Sequence, residues 1–423
     1  MKRFLIIFRF VFFASLLVLL AATSVWQPAD EADRIRAYTR RFEFDFFGWT
    51  ANALWQKLSA LSLGPMRHMT YPQQRKVLRD YFQALSDTLD LRDSLETLYA
   101  DPLSTINPED ETKLEEELKN QEQELERLAL LAEAVLQDQV SRSLDDLGLT
   151  VLPQPLPPVL YHVTDLPKNL VISPREVIRQ EKSVSLVTGI GLDDEIMVES
   201  QVEENTGYSA LVVPVGGVST YPTMVIRTGS ILGLLETVTH EWTHNYLVFR
   251  PLGWNYSTSP ALRTMNETTA SIAGDEISQY VVRKFYNDLI KPEEDLPYQT
   301  YEVTFPIRNP FEKVDFDFRK EMYETRLRVD ELLEQDKIEE AEFYMEEQRQ
   351  VFWANGYRIR KLNQAYFAFH GAYADQPYSA AGADPVGEDV RLLRSRSESL
   401  AKFILTMSRI SSYQSLIDII HAY

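Results

Sequence analysis

Apolar positions recur at helical spacing through the first third of the chain, so the stretch from Arg34 to about Leu149 reads as mostly helical. Asn107 before Pro108, Glu109 and Asp110 predicts a helix start, with the helix continuing through Leu125, Leu128, Leu131, Val135 and Leu136. Four prolines between Thr150 and Pro158 then break any helix and mark a boundary. Beyond them the period shortens: Val159 to His162, Leu170 to Ile172, Val184 to Val187, Ile196 to Ser200, Ala210 to Val215 and Thr223 to Ile226 read as short strands. Leu232, Leu234, Leu235, Val238, Trp242 and Leu247 restore the helical period as a largely buried helix that ends at Arg250, Pro251 and Gly253. A second helix starts with Ser259 as N-cap and Pro260 at its first position. After Asn287 the main segments, Glu312 to Gln335, Lys337 to Ala354 and Glu388 to Ile420, are helical, and alternating charge makes the first two a helical hairpin. The expected class is α+β. A leader at 1–26, a helical region at 27–149, a sheet-and-helix core at 150–290 and a helical region at 291–423 follow in order.

The chemistry concentrates in the buried helix, where His240, Glu241, Trp242, Thr243 and His244 form a HExxH motif. Histidines four residues apart share one helical face, so both imidazoles can bind one zinc ion. Glu241 lies about 60° further round, where its carboxylate reaches a water activated by the metal and can serve as general base. A third ligand follows from distance. His244 precedes Arg250 by six residues, about 9 Å of helix, and Glu267 follows Pro260 by seven, about 10 Å, so an antiparallel second helix brings Glu267 level with His244. Small residues at Ala270, Ser271, Ala273 and Gly274 allow close packing there. Asp275 and Glu276 are the acidic alternatives, about two turns farther on.

With Asn266-Glu267-Thr268-Thr269-Ala270 downstream of HExxH, the chain resembles the gluzincin group of zinc metallopeptidases over some sixty residues. The resemblance implies one zinc per chain bound by His240, His244 and Glu267, with Glu241 activating water on a peptide or protein substrate. It implies a zincin-like core of small sheet, HExxH helix and ligand helix, in which an edge strand binds extended peptide. Leu211 to Val215, before Gly216 and Gly217, is the candidate edge. Zincins also use a Tyr or His donor to stabilise the oxyanion, and Tyr366, His370 and Tyr373, near one helical face, are the catalytic candidates; an aromatic core stripe with one satisfied histidine is the competing reading. Two features depart from the group. Ser271 stands where many members have an Asp that orients a ligand histidine, and no Gly-x-Met-Glu-Asn stretch occurs.

Composition narrows the setting. A net charge of −20 opposes binding to nucleic acid, and the absence of cysteine excludes disulfides, thiol catalysis and cysteine-ligated zinc. Lys2, Arg3 and Arg9 precede an uncharged 17-residue run from Phe10 to Trp26, followed by Asp30, Glu31 and Asp33. This reads as an uncleaved membrane anchor in preference to a cleaved signal, with the catalytic part outside the cytoplasm; a secreted or periplasmic protein is the alternative. Phe42, Phe44, Phe46, Phe47, Trp49, Leu54 and Trp55 then form an aromatic stretch that packs a first helix or rests on the membrane. Asn255-Tyr256-Ser257 and Asn266-Glu267-Thr268 fit the glycosylation pattern, but a glycan on Asn266 would obstruct the ligand beside it. Against the peptidase stands a second expectation: a catalytically inactive zincin-like binding or assembly factor of the cell envelope, which has no need of Glu241.

Overall fold

The computed structural model describes residues 31–62, 69–100, 108–150, 154–286 and 316–422. The uncharged N-terminal run lies outside them, and among the described residues no helix is long and apolar enough to cross a membrane. Helices α1 (Glu31–Thr39), α2 (Phe46–Ser62), α3 (Tyr71–Ala100) and α4 (Pro108–Asp146) precede the strands, and α4 begins at Pro108 as the Asn-Pro signal requires. Strands β1 (Tyr161–Val163), β2 (Lys168–Pro174) and β3 (Lys182–Leu186) lead into α5 (Leu192–Thr206), β4 (Tyr208–Val213), β5 (Gly217–Val218) and β6 (Thr223–Val225). The motif helix α6 (Ile231–Leu247), a single turn α7 (Pro251–Trp254) and the long α8 (Pro260–Tyr286) follow. Helices α9 (Phe318–Glu334), α10 (Ile338–Ala354), α11 (Gln364–His370), α12 (Pro385–Arg396), α13 (Leu400–Met407) and α14 (Tyr413–Ala422) complete a mixed α+β chain.

Two three-stranded sheets form, ordered β3-β2-β4 and β1-β6-β5. The first is antiparallel throughout; in the second β1 runs parallel to β6 and β5 antiparallel to it. Alternation along β2 sends Leu170 and Ile172 to a core shared with Ile35 of α1 and Val198 and Val202 of α5. Val171 points the other way, toward Ala365 and Phe369 of α11. The principal core lies around α6 and α8, where Leu234, Leu235, Val238, Trp242 and Leu247 meet Met265, Ala273, Ile277 and Val281. Each of the Leu, Val, Ile and Met side chains among them, fully buried, stabilises the fold by roughly 1.5–3 kcal/mol.

Three expectations are corrected. Ile196 to Ser200 is helical, inside α5, because Asp193, Asp194 and Glu195 favour a helix start and Glu195, Val198, Glu199 and Val202 form one buried helical face. Glycine at Gly207, φ 73°, then ends the helix in the left-handed conformation. The helical segment expected from Glu388 to Ile420 is divided into three helices, since Ser399 caps α13 by accepting from Lys402 N and a turn separates α13 from α14. Finally, Leu211 to Val213 does lie at a sheet edge, but that edge is closed: Ala210 N donates to Glu203 at 3.1 Å, Val212 N to Glu199 at 2.6 Å, and Asn363 Nδ2 donates to Ala210 O at 3.0 Å. No peptide can add there without displacing them.

Candidate metal centre

Ser230 caps α6 by accepting from Gly233 N at 3.1 Å, and the helix runs unbroken through the motif. Its apolar residues face the core, which leaves His240 and His244 half-buried on the side turned to α8. The two helices approach closely because Gly274 lacks a side chain: a Cβ there would meet Glu236 O at 3.1 Å and His240 Cβ at 3.2 Å. Thr239 Oγ1 donates to Gly274 O at 3.1 Å across the same contact. On the return, Ser259 accepts from Leu262 N at 3.2 Å and starts α8, so Glu267 comes level with His244.

The three side chains converge. His240 Nε2 and His244 Nε2 are 3.0 Å apart, and Glu267 Oε2 lies 3.5 Å from the first and 3.3 Å from the second. These atoms form a group that could hold a metal ion, the one such group of His, Asp and Glu among the described residues. Four ligands placed tetrahedrally about 2.1 Å from zinc stand about 3.4 Å from one another, so the separations fit that ion. Glu267 Oε2 is buried and has no hydrogen-bond partner, which is costly unless a cation satisfies it. Burial alone would raise the Glu267 pKa, yet the two imidazoles hold it well below the usual carboxylate range. Burial likewise opposes protonation of His244, and Glu267, Glu241 and Asn266 outweigh it and push its pKa up to about 9. A divalent cation between these groups would offset the same carboxylate charge.

The supporting groups were largely invisible in sequence. Asn266 Oδ1 lies 2.7 Å from His244 Nδ1, while its Nδ2 donates to Leu252 O at 3.2 Å. The second bond fixes the amide, so Nδ1 of His244 carries the proton and Nε2 offers its lone pair to the centre. Asn266 thus performs the orientation for which Ser271 is unsuited, and being buried and bonded it is closed to glycosylation in the folded chain. Tyr256 donates to the other Glu267 oxygen, Oε1. Arg263 Nε donates to that tyrosine at 3.3 Å, and its Nη1 to Ala368 O of α11 at 2.6 Å. Asp275 and Glu276, the alternative ligands, are engaged elsewhere: Gln279 donates to Asp275 at 2.7 Å, and Arg394 holds Glu276 in a fork at 2.6 and 2.7 Å.

Glu241 is buried beside this group and accepts from Ser219 Oγ. Strand β5 passes directly over it, so close that a Cβ on Gly217 would fall 2.6 Å from Oε1. Edge strand β5 therefore adjoins Glu241, whereas the expected strand β4 does not flank the site in this way. Of the three aromatic candidates, Tyr373 stacks on His240, ring centroids 6.2 Å apart at 28°, just past the end of α11. Burial, then Glu267 and Tyr256, raises its pKa well above the ordinary range, so it keeps its proton. Tyr366 and His370, both half-buried, pack on one another with ring centroids 4.2 Å apart. Burial and then Arg263 lower the His370 pKa to about 4, leaving that ring neutral. No protein-family model matches the chain, and comparison with curated proteins and with solved structures finds no match either.

Proposed function

We propose that the chain is a zinc-dependent peptidase of the gluzincin kind, membrane-anchored or exported, in which α6 and α8 with the sheet β1-β6-β5 form a zincin-like core. His240, His244 and Glu267 hold the metal. The observation that carries this is the buried, unpartnered Glu267 Oε2 facing two imidazole nitrogens within 3.5 Å. Zinc bound there supplies a Lewis acid that polarises a carbonyl and lowers the pKa of water. Glu241, one residue from a ligand yet engaged by Ser219 rather than by the metal group, takes the proton of the attacking water and delivers it to the leaving amine. Tyr373 keeps its proton at the edge of the group and donates to the oxygen that gains charge. An extended peptide adds to β5, the edge of its sheet, which carries the scissile bond past Glu241.

Zinc-loaded protein and its Glu241→Gln variant, incubated with a peptide library read by mass spectrometry, test this. The proposal expects cleavage by the parent and, in the variant, full zinc content with turnover reduced by at least about 100-fold. Equal cleavage by both would remove Glu241 from the mechanism. Zinc binding without cleavage by either would favour a binding or assembly factor.

A further inference from the structure

Glu267 uses its two oxygens differently. Oε2 faces Nε2 of His240 and of His244, whereas Oε1 accepts from the hydroxyl of Tyr256. That hydroxyl accepts in turn from Arg263 Nε at 3.3 Å. A guanidinium carries donors alone, so the tyrosine must receive from Arg263 and direct its single proton to the carboxylate. Arg263 therefore sets the direction of the bond that Glu267 receives. With Oε1 engaged by a donor, the carboxylate turns Oε2 to the imidazoles.

Both ends of this chain of bonds are anchored. Tyr256 leaves α7 with its N–H donated to Gly253 O at 3.1 Å, and its ring stands edge-on to His244, centroids 6.2 Å apart at 86°. The buried Arg263 donates through Nη1 to Ala368 O at 2.6 Å. Ala368 belongs to α11, which packs Ala365 and Phe369 against Val171 of β2 and is followed closely by Tyr373, stacked on His240. The contacts thus run from one ligand, through Tyr256, Arg263 and α11, to the ring beside another. Charge balance alone does not account for this arrangement. Arg394 meets Glu276 directly, in a fork at 2.6 and 2.7 Å, whereas Arg263 reaches Glu267 through a hydroxyl, and the hydroxyl selects one oxygen.

We propose that Tyr256 and Arg263 are positioning residues of the metal centre: Arg263 aims the Tyr256 hydroxyl at Oε1, which holds Glu267 as a one-oxygen ligand and ties it to the helix that precedes Tyr373. The proposal rests on the metal reading of His240, His244 and Glu267 and does not require peptidase activity. It deepens that reading by naming what keeps the carboxylate from turning both oxygens to the ion.

Full-length parent, Tyr256→Phe, Arg263→Met and the double variant are compared in two ways, with far-UV circular dichroism confirming that each is folded. Competition with a chromogenic chelator gives zinc affinity. Cobalt(II) in place of zinc gives a spectrum whose visible bands weaken as ligand atoms are added. Tyr256→Phe keeps the ring and removes only the hydroxyl, so it decides the matter even if Arg263→Met does not fold. Each single variant is expected to bind zinc about 10–100-fold more weakly and to show weaker cobalt bands. The double variant should lose no more than Tyr256→Phe alone, because the arginine acts through the tyrosine. Parent-like affinity and spectrum in Tyr256→Phe would overturn the proposal, and so would losses that multiply in the double variant. Parent protein that takes up neither metal would overturn the metal reading beneath it as well.

Discussion

Asn266 Oδ1 stands 2.7 Å from His244 Nδ1 and sets which nitrogen of that ring faces the centre. The asparagine is itself held by Leu252 O, so it transmits the position of the turn between α6 and α8 to His244. Asn266→Ala is therefore expected to weaken zinc affinity by about 10–100-fold, as loss of a histidine's orienting partner does. Asn266→Asp, which keeps the acceptor, should recover most of it. Competition with a chromogenic chelator measures both, and unchanged affinity in the alanine variant would show that His244 is oriented by something else.

Gly217 and Glu241 are in similar dependence. A methyl group on Gly217 has no room unless the Glu241 side chain moves, because it would fall within 3 Å of Oε1, Cγ and Cδ. Displacing a proton acceptor by about 1 Å can cost about 100-fold in rate. Gly217→Ala should lower kcat/KM on that scale with metal content unchanged. Full activity in the variant would mean that the carboxylate works from another position.

Glu236, one turn before His240, should make stability depend on pH. Burial, then Asp275 and Asp375, pushes its pKa up to about 7 from the ordinary 4.5. Between those values the folded chain binds the proton more tightly than the unfolded chain, so the contribution is fully present below about pH 4.5 and is lost as pH rises through about 7. Glu236→Gln does not titrate. Relative to the parent it should gain on the order of 2 kcal/mol between pH 4.5 and 8. Urea unfolding of both proteins in chelator at the two pH values measures this, and a constant difference would contradict it.

Much of the centre was legible because it is local. His240 and His244 are one helical turn apart, and Glu267 follows from counting residues on either side of a short connection capped by Ser259. Helix α5 was misread in part because its buried face includes Glu195 and Glu199. Arg360, 161 residues beyond Glu199, bonds to it at 2.9 Å, and that pairing hides the helical period behind residues that look exposed. The same glutamate closes the edge of β4, which no local pattern could reveal. Tyr256, Arg263 and Ser219 act through contacts set by tertiary packing. Only Asn266, adjacent to a ligand, could have been suspected from sequence. Within the aromatic stretch after the N-terminal run, α2 packs Trp49 inward and turns Phe47 and Trp55 outward, a division that depends on tertiary packing.

The central claim is that His240, His244 and Glu267 bind one zinc ion, and elemental analysis of the purified protein tests it most directly. The account predicts close to one zinc per chain, lost in Glu267→Ala and retained in Asp275→Ala and Glu276→Ala, whose side chains are engaged by Gln279 and Arg394. Protein that holds no metal even after zinc is added, or that loses it equally in all three variants, would contradict the account.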